Sequence, residues 1–145
     1  MSMEIKCIIY TAGIIKDNSE LIKNIPAKYK KIFAHHMTIK FGGFDEISLP
    51  NYIGKKFTFI ANKLYSDENA IALTGYITNR EIAKFMKSIN QKAHITIATS
   101  DNVQPVYSNE LIKTKSFVKI NKIKIKMQAG ALCIVENNNA KWIFK

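Results

Sequence analysis

Two of the chain's three histidines open the same short pattern, and the chemistry that pattern suits is acid–base attack on a phosphodiester. His36-Met37-Thr38-Ile39 and His94-Ile95-Thr96-Ile97 both read histidine, apolar, threonine, apolar. On an extended strand side chains alternate with period two, so His36 and Thr38 share one face, as do His94 and Thr96. The residues between them turn back into the core. One imidazole can take the proton of an attacking oxygen while the other, protonated, gives one to the leaving oxygen. Histidine suits both tasks because its ordinary pKa lies near working pH. Thr38 and Thr96 can hold the non-bridging oxygens and align the phosphorus between the rings.

This scheme needs no metal and no other cofactor. Three histidines without clustered carboxylates or cysteines offer no evident metal site either. A single His-x-Thr on a strand is ordinary. What singles out this pair is its use of two of only three histidines in matching strand contexts. His35 does not continue the pattern, since on an extended strand it faces away from His36 and is structural or exposed.

The elements that must position these groups can be read along the chain. Glu4–Thr11 is β-branched and aromatic, hence a strand. A helix runs from Asn18 or Ser19 to about Ile32, broken or kinked at Pro26. His36–Phe41 is a strand closed by Gly42-Gly43. Phe57–Tyr65 and Ala70–Ile77 form a hairpin across Ser66-Asp67-Glu68-Asn69. From Thr78 or Asn79 to about Gln91, Ile82, Phe85, Met86 and Ile89 fall on one helical stripe. His94–Thr99 is again a strand, followed by a polar loop over Ser100–Asn109. Phe117–Met127 alternates apolar residues with Lys122, Lys124 and Lys126. Ala131–Glu136 pairs with it or with Lys141–Phe144 across the Asn137-Asn138-Asn139 turn. No linker divides residues 1–145, so one α+β domain with mostly antiparallel strands is expected.

Composition bounds the setting. With 145 residues, 47% hydrophobic and 10% aromatic, the chain can bury a core. No apolar run approaches the ~18 residues of a membrane span, and the N-terminal apolar run reads as a strand rather than a signal peptide. Cys7 and Cys133 sit in apolar runs, as free buried thiols in a reducing cytoplasm would. The formal charge of +11 is carried almost wholly by lysine, because Arg80 is the only arginine. Such a surface attracts phosphate-rich partners. It also follows from an AT-rich coding sequence, whose products abound in Lys, Ile and Asn whatever they do. The Lys122, Lys124, Lys126 row either tracks a phosphate backbone or is a solvated strand face, the commoner case.

The paired His-x-Thr motifs and the strand and helix order around them resemble the 2H phosphoesterase superfamily. This group includes LigT-like RNA ligases and 2′,3′-cyclic phosphodiesterases, the cyclic phosphodiesterase modules of tRNA ligases, and viral enzymes that destroy cyclic oligonucleotide signals. The resemblance implies a bilobal fold, two antiparallel sheets around a central cleft with pseudo-two-fold symmetry. It carries over His36 and His94 as the acid–base pair and Thr38 and Thr96 as phosphate ligands. Tyr10 and Tyr107 are candidates to stack on a base, and Ser108 or Asn109 to hydrogen-bond it; core packing and a solvated loop are the plainer alternatives. The implied activity is a metal-independent phosphodiesterase. Its substrate is an RNA end bearing a 2′,3′-cyclic phosphate or a cyclic nucleotide, including a dinucleotide messenger such as cGAMP. The alternative is a non-catalytic RNA- or nucleotide-binding module on the same fold. A cytoplasmic monomer is expected, in the host cytoplasm if the source is viral.

Overall fold

The computed structural model describes residues 4–23, 25–44, 48–114 and 116–144. Within them lie eight strands: β1 (Ile5–Ile15), β2 (Lys31–Ile32), β3 (His36–Phe41), β4 (Lys56–Ser66), β5 (Ala70–Ile77), β6 (His94–Thr99), β7 (Phe117–Val135) and β8 (Ala140–Ile143). Three helices accompany them, α1 (Ser19–Ile22), α2 (Arg80–Ser88) and α3 (Ser108–Leu111). The strands pair in the order β2-β6-β5-β4-β7-β1-β3, with β8 beside β7, and every pairing is antiparallel. The architecture is thus a mostly β, curled antiparallel sheet with few helical turns.

Strand β7 organises the sheet. Its 19 residues serve two sets of partners. Residues Phe117–Gln128 pair with β4, while Met127–Val135 pair with β1 and Ala131–Ile134 with β8. From Lys122 onward the alternation along β7 is regular. Ile125, Met127, Ala129, Ala131, Cys133 and Val135 are buried in the core, and the even-numbered residues from Lys122 to Leu132 face the other way. Two half-sheets therefore share one strand: β3, β1, β8 and the end of β7 on one side, and β6, β5, β4 and its start on the other.

The sheet then curls back on itself. β2 pairs with β6, and Phe33 N and Ala34 N donate to Ile97 O and Thr96 O before the chain enters β3. Ala34, fully buried with φ of 50°, makes the turn between the two strands. This left-handed conformation is unfavourable for a residue with a Cβ and persists here because pairing on both sides fixes it. It brings β3, at one end of the pairing path, beside β6 near the other.

Four expectations change. The helix expected to reach Ile32 stops at Ile22; Pro26 lacks an N–H and disfavours helical geometry at Ile25, and Lys31 and Ile32 pair with β6 instead. The two strands expected on either side of Gln128–Gly130 are one, because β7 has partners along both edges there. Glycine at 130 also leaves room for the Phe144 ring, 2.7 Å from where a Cβ would stand. The loop at Ser100–Asn109 ends in a 3-10 turn over Pro105–Tyr107 that runs into α3, with Pro105 supplying the preset φ of a first helical position. Both cysteines are free, but only Cys133 is buried; Cys7 is exposed. No helix among the described residues is long and apolar enough to cross a membrane.

Candidate active site

Each motif strand is paired in a way that aims its histidine. In β3, His36 lies opposite Ile14 and Thr38 opposite Ala12, while Met37 and Ile39 are fully buried. In β6, His94 lies opposite Thr74 and Thr96 opposite Ala72, while Ile95 and Ile97 are buried. Helix α2 sets the start of β6. Asn79 caps it by accepting from Ile82 N, Ile82 and Met86 anchor it in the core, and Asn90 with φ of 57° ends it. The chain then turns directly into β6, which leaves the Lys92 carbonyl 2.9 Å from His94 Nδ1.

The four motif side chains line one cleft of about 470 Å³. Tyr10, Phe33, His35, Phe41, Gln91, Pro105, Val106 and Asn109 complete its wall. Phe41 is 74% and Val106 68% exposed, so the cleft wall carries accessible apolar surface. Tyr10 stacks on Phe41 at 5.7 Å and lies 5.7 Å from the His36 ring.

Burial pushes both histidines below their ordinary pKa. For His36 the charges of His35 and His94 act in the same direction. For His94 the Lys92 ammonium adds to burial, and the hydrogen bond to the Lys92 carbonyl opposes it. The neutral form of each ring is therefore favoured. A neutral His94 that donates from Nδ1 to this carbonyl keeps its proton-free Nε2 for the cleft. The charge of one motif histidine is felt at the other.

Thr96 is held by the segment that follows β6. Its hydroxyl lies 2.6 Å from Ser108 Oγ and donates over 3.4 Å to the Pro105 carbonyl, so Ser108 is the donor of the shorter bond. Ser108 is fully buried beneath Thr96 and does not line the cleft. Asn109 does line it. Tyr107 is turned to the far side of its segment, where its hydroxyl donates to Asp67. Asp67 also accepts from Asn69 N and Ala70 N across the β4–β5 turn, so it ties that turn to the cleft wall.

His35 differs from its expected place. It is exposed yet lines the cleft, because the turn at Ala34 precedes the strand and period-two alternation starts only at His36. Phe33, Phe41 and Gln91 are cleft residues that the sequence reading assigns no role. Phe41 had a usable signal, being an aromatic residue at the end of a motif strand just before two glycines. Among the described residues no three His, Cys, Asp or Glu side chains cluster as a metal site would require.

The family model for the fungal tRNA ligase phosphodiesterase domain matches residues 16–137, which include both motifs and the whole cleft wall apart from Tyr10. The chain belongs to this family. It is accordingly a 2H phosphoesterase enzyme, and membership supports a 2′,3′-cyclic phosphodiesterase activity. No curated protein matches the chain.

Proposed function

We propose that the protein opens the 2′,3′-cyclic phosphate at the end of an RNA strand, with His36 and His94 as the acid–base pair. What supports this reading is that His36, Thr38, His94 and Thr96 all line a single cleft in a chain of this family. Water attacks the phosphorus and loses its proton to the neutral imidazole. The bond from phosphorus to one ribose oxygen breaks, and the protonated imidazole gives that oxygen its proton. The product carries a phosphomonoester and a free vicinal hydroxyl, and the two rings have exchanged protonation states. The incoming anionic phosphate favours the protonated ring that burial disfavours.

The threonines would hold the non-bridging oxygens. The long Thr96 bond to Pro105 O is readily exchanged for a phosphate oxygen, while Ser108 keeps donating to Thr96 and holds its oxygen in place. The two half-sheets that share β7 are the natural counterparts of two pseudo-symmetric lobes, one motif in each. All four groups come from one chain, so a single copy is the working unit.

The test is hydrolysis, in EDTA, of a 2′,3′-cyclic mononucleotide and of a cyclic dinucleotide. Turnover of the mononucleotide is expected, with His36→Ala and His94→Ala each lowering it by about 10²–10⁴-fold. Turnover untouched by both substitutions overturns the two-histidine mechanism. Loss of activity in EDTA overturns metal independence. Cleavage of the dinucleotide alone replaces RNA ends by a cyclic dinucleotide messenger as substrate.

A further inference from the structure

A second groove, of about 690 Å³, adjoins the cleft and shares Gln91 and Asn109 with it. Tyr65 and Phe117 form its floor, and Lys92 stands at its edge. The strand register shows what lies beyond. Cross-strand partners share a sheet face, and the row through His94 runs to Thr74, then Lys63, then Lys119. At ~4.8 Å between strands, these two lysines sit about 10 and 14 Å from His94 along the sheet.

Lys63 reaches this face only because β4 bulges between Ala61 and Lys63. Before the bulge the odd residues Phe57, Phe59 and Ala61 are in the core; after it, Lys63 and Tyr65 are on the opposite side. Gly75 permits that bulge, since a Cβ there would stand 1.9 Å from the Ile60 carbonyl oxygen. Lys122 and Lys124 continue the same face, Lys122 over the exposed Tyr76 ring and Lys124 opposite Ile60 in the Tyr76 row.

This face is built against its own electrostatics. Lys63 and Lys119 are direct cross-strand partners, an arrangement of like charges that costs stability. No Asp or Glu occurs in β4, β5 or β7 to offset them. Among the described residues, neither lysine forms an ion pair; Lys63 instead lies 4.5 Å over the Phe117 ring at the groove floor. A surface of this kind is relieved by a polyanion.

We propose that the groove and the lysines of this face bind the single-stranded RNA leading up to the terminal phosphate, with Lys63 and Lys119 on its backbone. The inference rests on the 2′,3′-cyclic phosphodiesterase reading, and it makes the preferred substrate an oligonucleotide end, not a free cyclic nucleotide. A neutral strand face would discriminate neither.

The experiment compares a short oligoribonucleotide ending in a 2′,3′-cyclic phosphate with the cyclic mononucleotide, using the wild type and Lys63→Gln/Lys119→Gln. The oligonucleotide KM is expected to rise about tenfold at low salt, and its salt dependence to become shallower by about 1.4 in log–log slope, the share of two single-strand phosphate contacts. Mononucleotide turnover should stay unchanged, as should both substrates in the charge-matched Lys23→Gln/Lys84→Gln. An unaltered oligonucleotide KM, an equal loss on the mononucleotide, or an equal loss in the control variant overturns the groove. Anisotropy of the same strand ending in a 3′-phosphate gives a second readout that needs no turnover. If the wild type hydrolyses neither substrate, the phosphodiesterase reading fails, and weaker binding by the double variant alone still decides the groove.

Discussion

The two motifs share a pattern but are supported differently. His94 and Thr96 are held by hydrogen bonds: the ring to the Lys92 carbonyl, and the hydroxyl to Ser108 and Pro105. His36 is held by packing. Among the described residues nothing hydrogen-bonds its ring, and Tyr10, His35 and the buried turn at Ala34 surround it. A ring fixed by a carbonyl has its tautomer chosen in advance, whereas a ring fixed by packing takes the tautomer its ligand asks for. Half of the cleft is therefore pre-organised, and half adapts.

The largest expected effect tests whether the halves nonetheless act as one unit. If both rings serve one proton-transfer cycle, the double variant His36→Ala/His94→Ala falls little below the worse single variant, each single costing about 10²–10⁴-fold. Losses that multiply in kcat/KM would mean that the halves work independently. That outcome would remove the reason for comparing them.

How far these halves could be foreseen follows the same division. The bounds of β3 and β6 were legible because each is a short β-branched run whose alternation pairs a polar face with a buried one. The cap of α2 was legible too, since Asn79 and the apolar stripe are local signals. The supports of the second motif were not. Nothing local in the Ser100–Asn109 segment says that Ser108 reaches back to Thr96, or that Tyr107 turns to Asp67 across the sheet. His35 is exposed as expected, but it lines the cleft because alternation does not extend past the turn that begins the strand. The continuity of β7 across Gln128–Gly130 depends on partners far away in sequence, which no local pattern shows.

Next in size is the contrast between the threonines. Thr38→Val and Thr96→Val should each lower kcat, up to the ~10²–10³-fold seen when one donor to a developing oxyanion is lost. Their stabilities should diverge. Thr96→Val leaves the fully buried Ser108 hydroxyl without this partner, a cost of about 1–3 kcal/mol. Thr38 has no such dependant, so its variant should unfold within about 0.5 kcal/mol of the wild type. Thermal or denaturant unfolding of the two variants decides this. Equal destabilisation would show that the first motif also rests on hydrogen bonds.

The smallest expected effect is also the one that assigns the roles. Both rings are held below their ordinary pKa of about 6.5 in the free enzyme. Catalysis needs one ring protonated and one neutral, so kcat/KM should follow a bell whose maximum lies on the acid side of that value. The bound phosphate favours the charged ring, so the kcat profile should lie at higher pH. Folding stability has a matching sign. Each ring binds fewer protons folded than unfolded, so its contribution is complete above about 6.5 and is lost as the pH falls toward the folded value. Lys92→Gln removes a cation that lowers His94 while keeping the carbonyl it bonds to, so the His94 pKa should rise and His36 should not. Only one limb of the kcat/KM bell should then move upward. Movement of the alkaline limb makes His94 the acid, and movement of the acid limb makes it the base. If both limbs move together, the rings titrate as one coupled pair, and the division into a fixed half and an adaptable half does not extend to their protons.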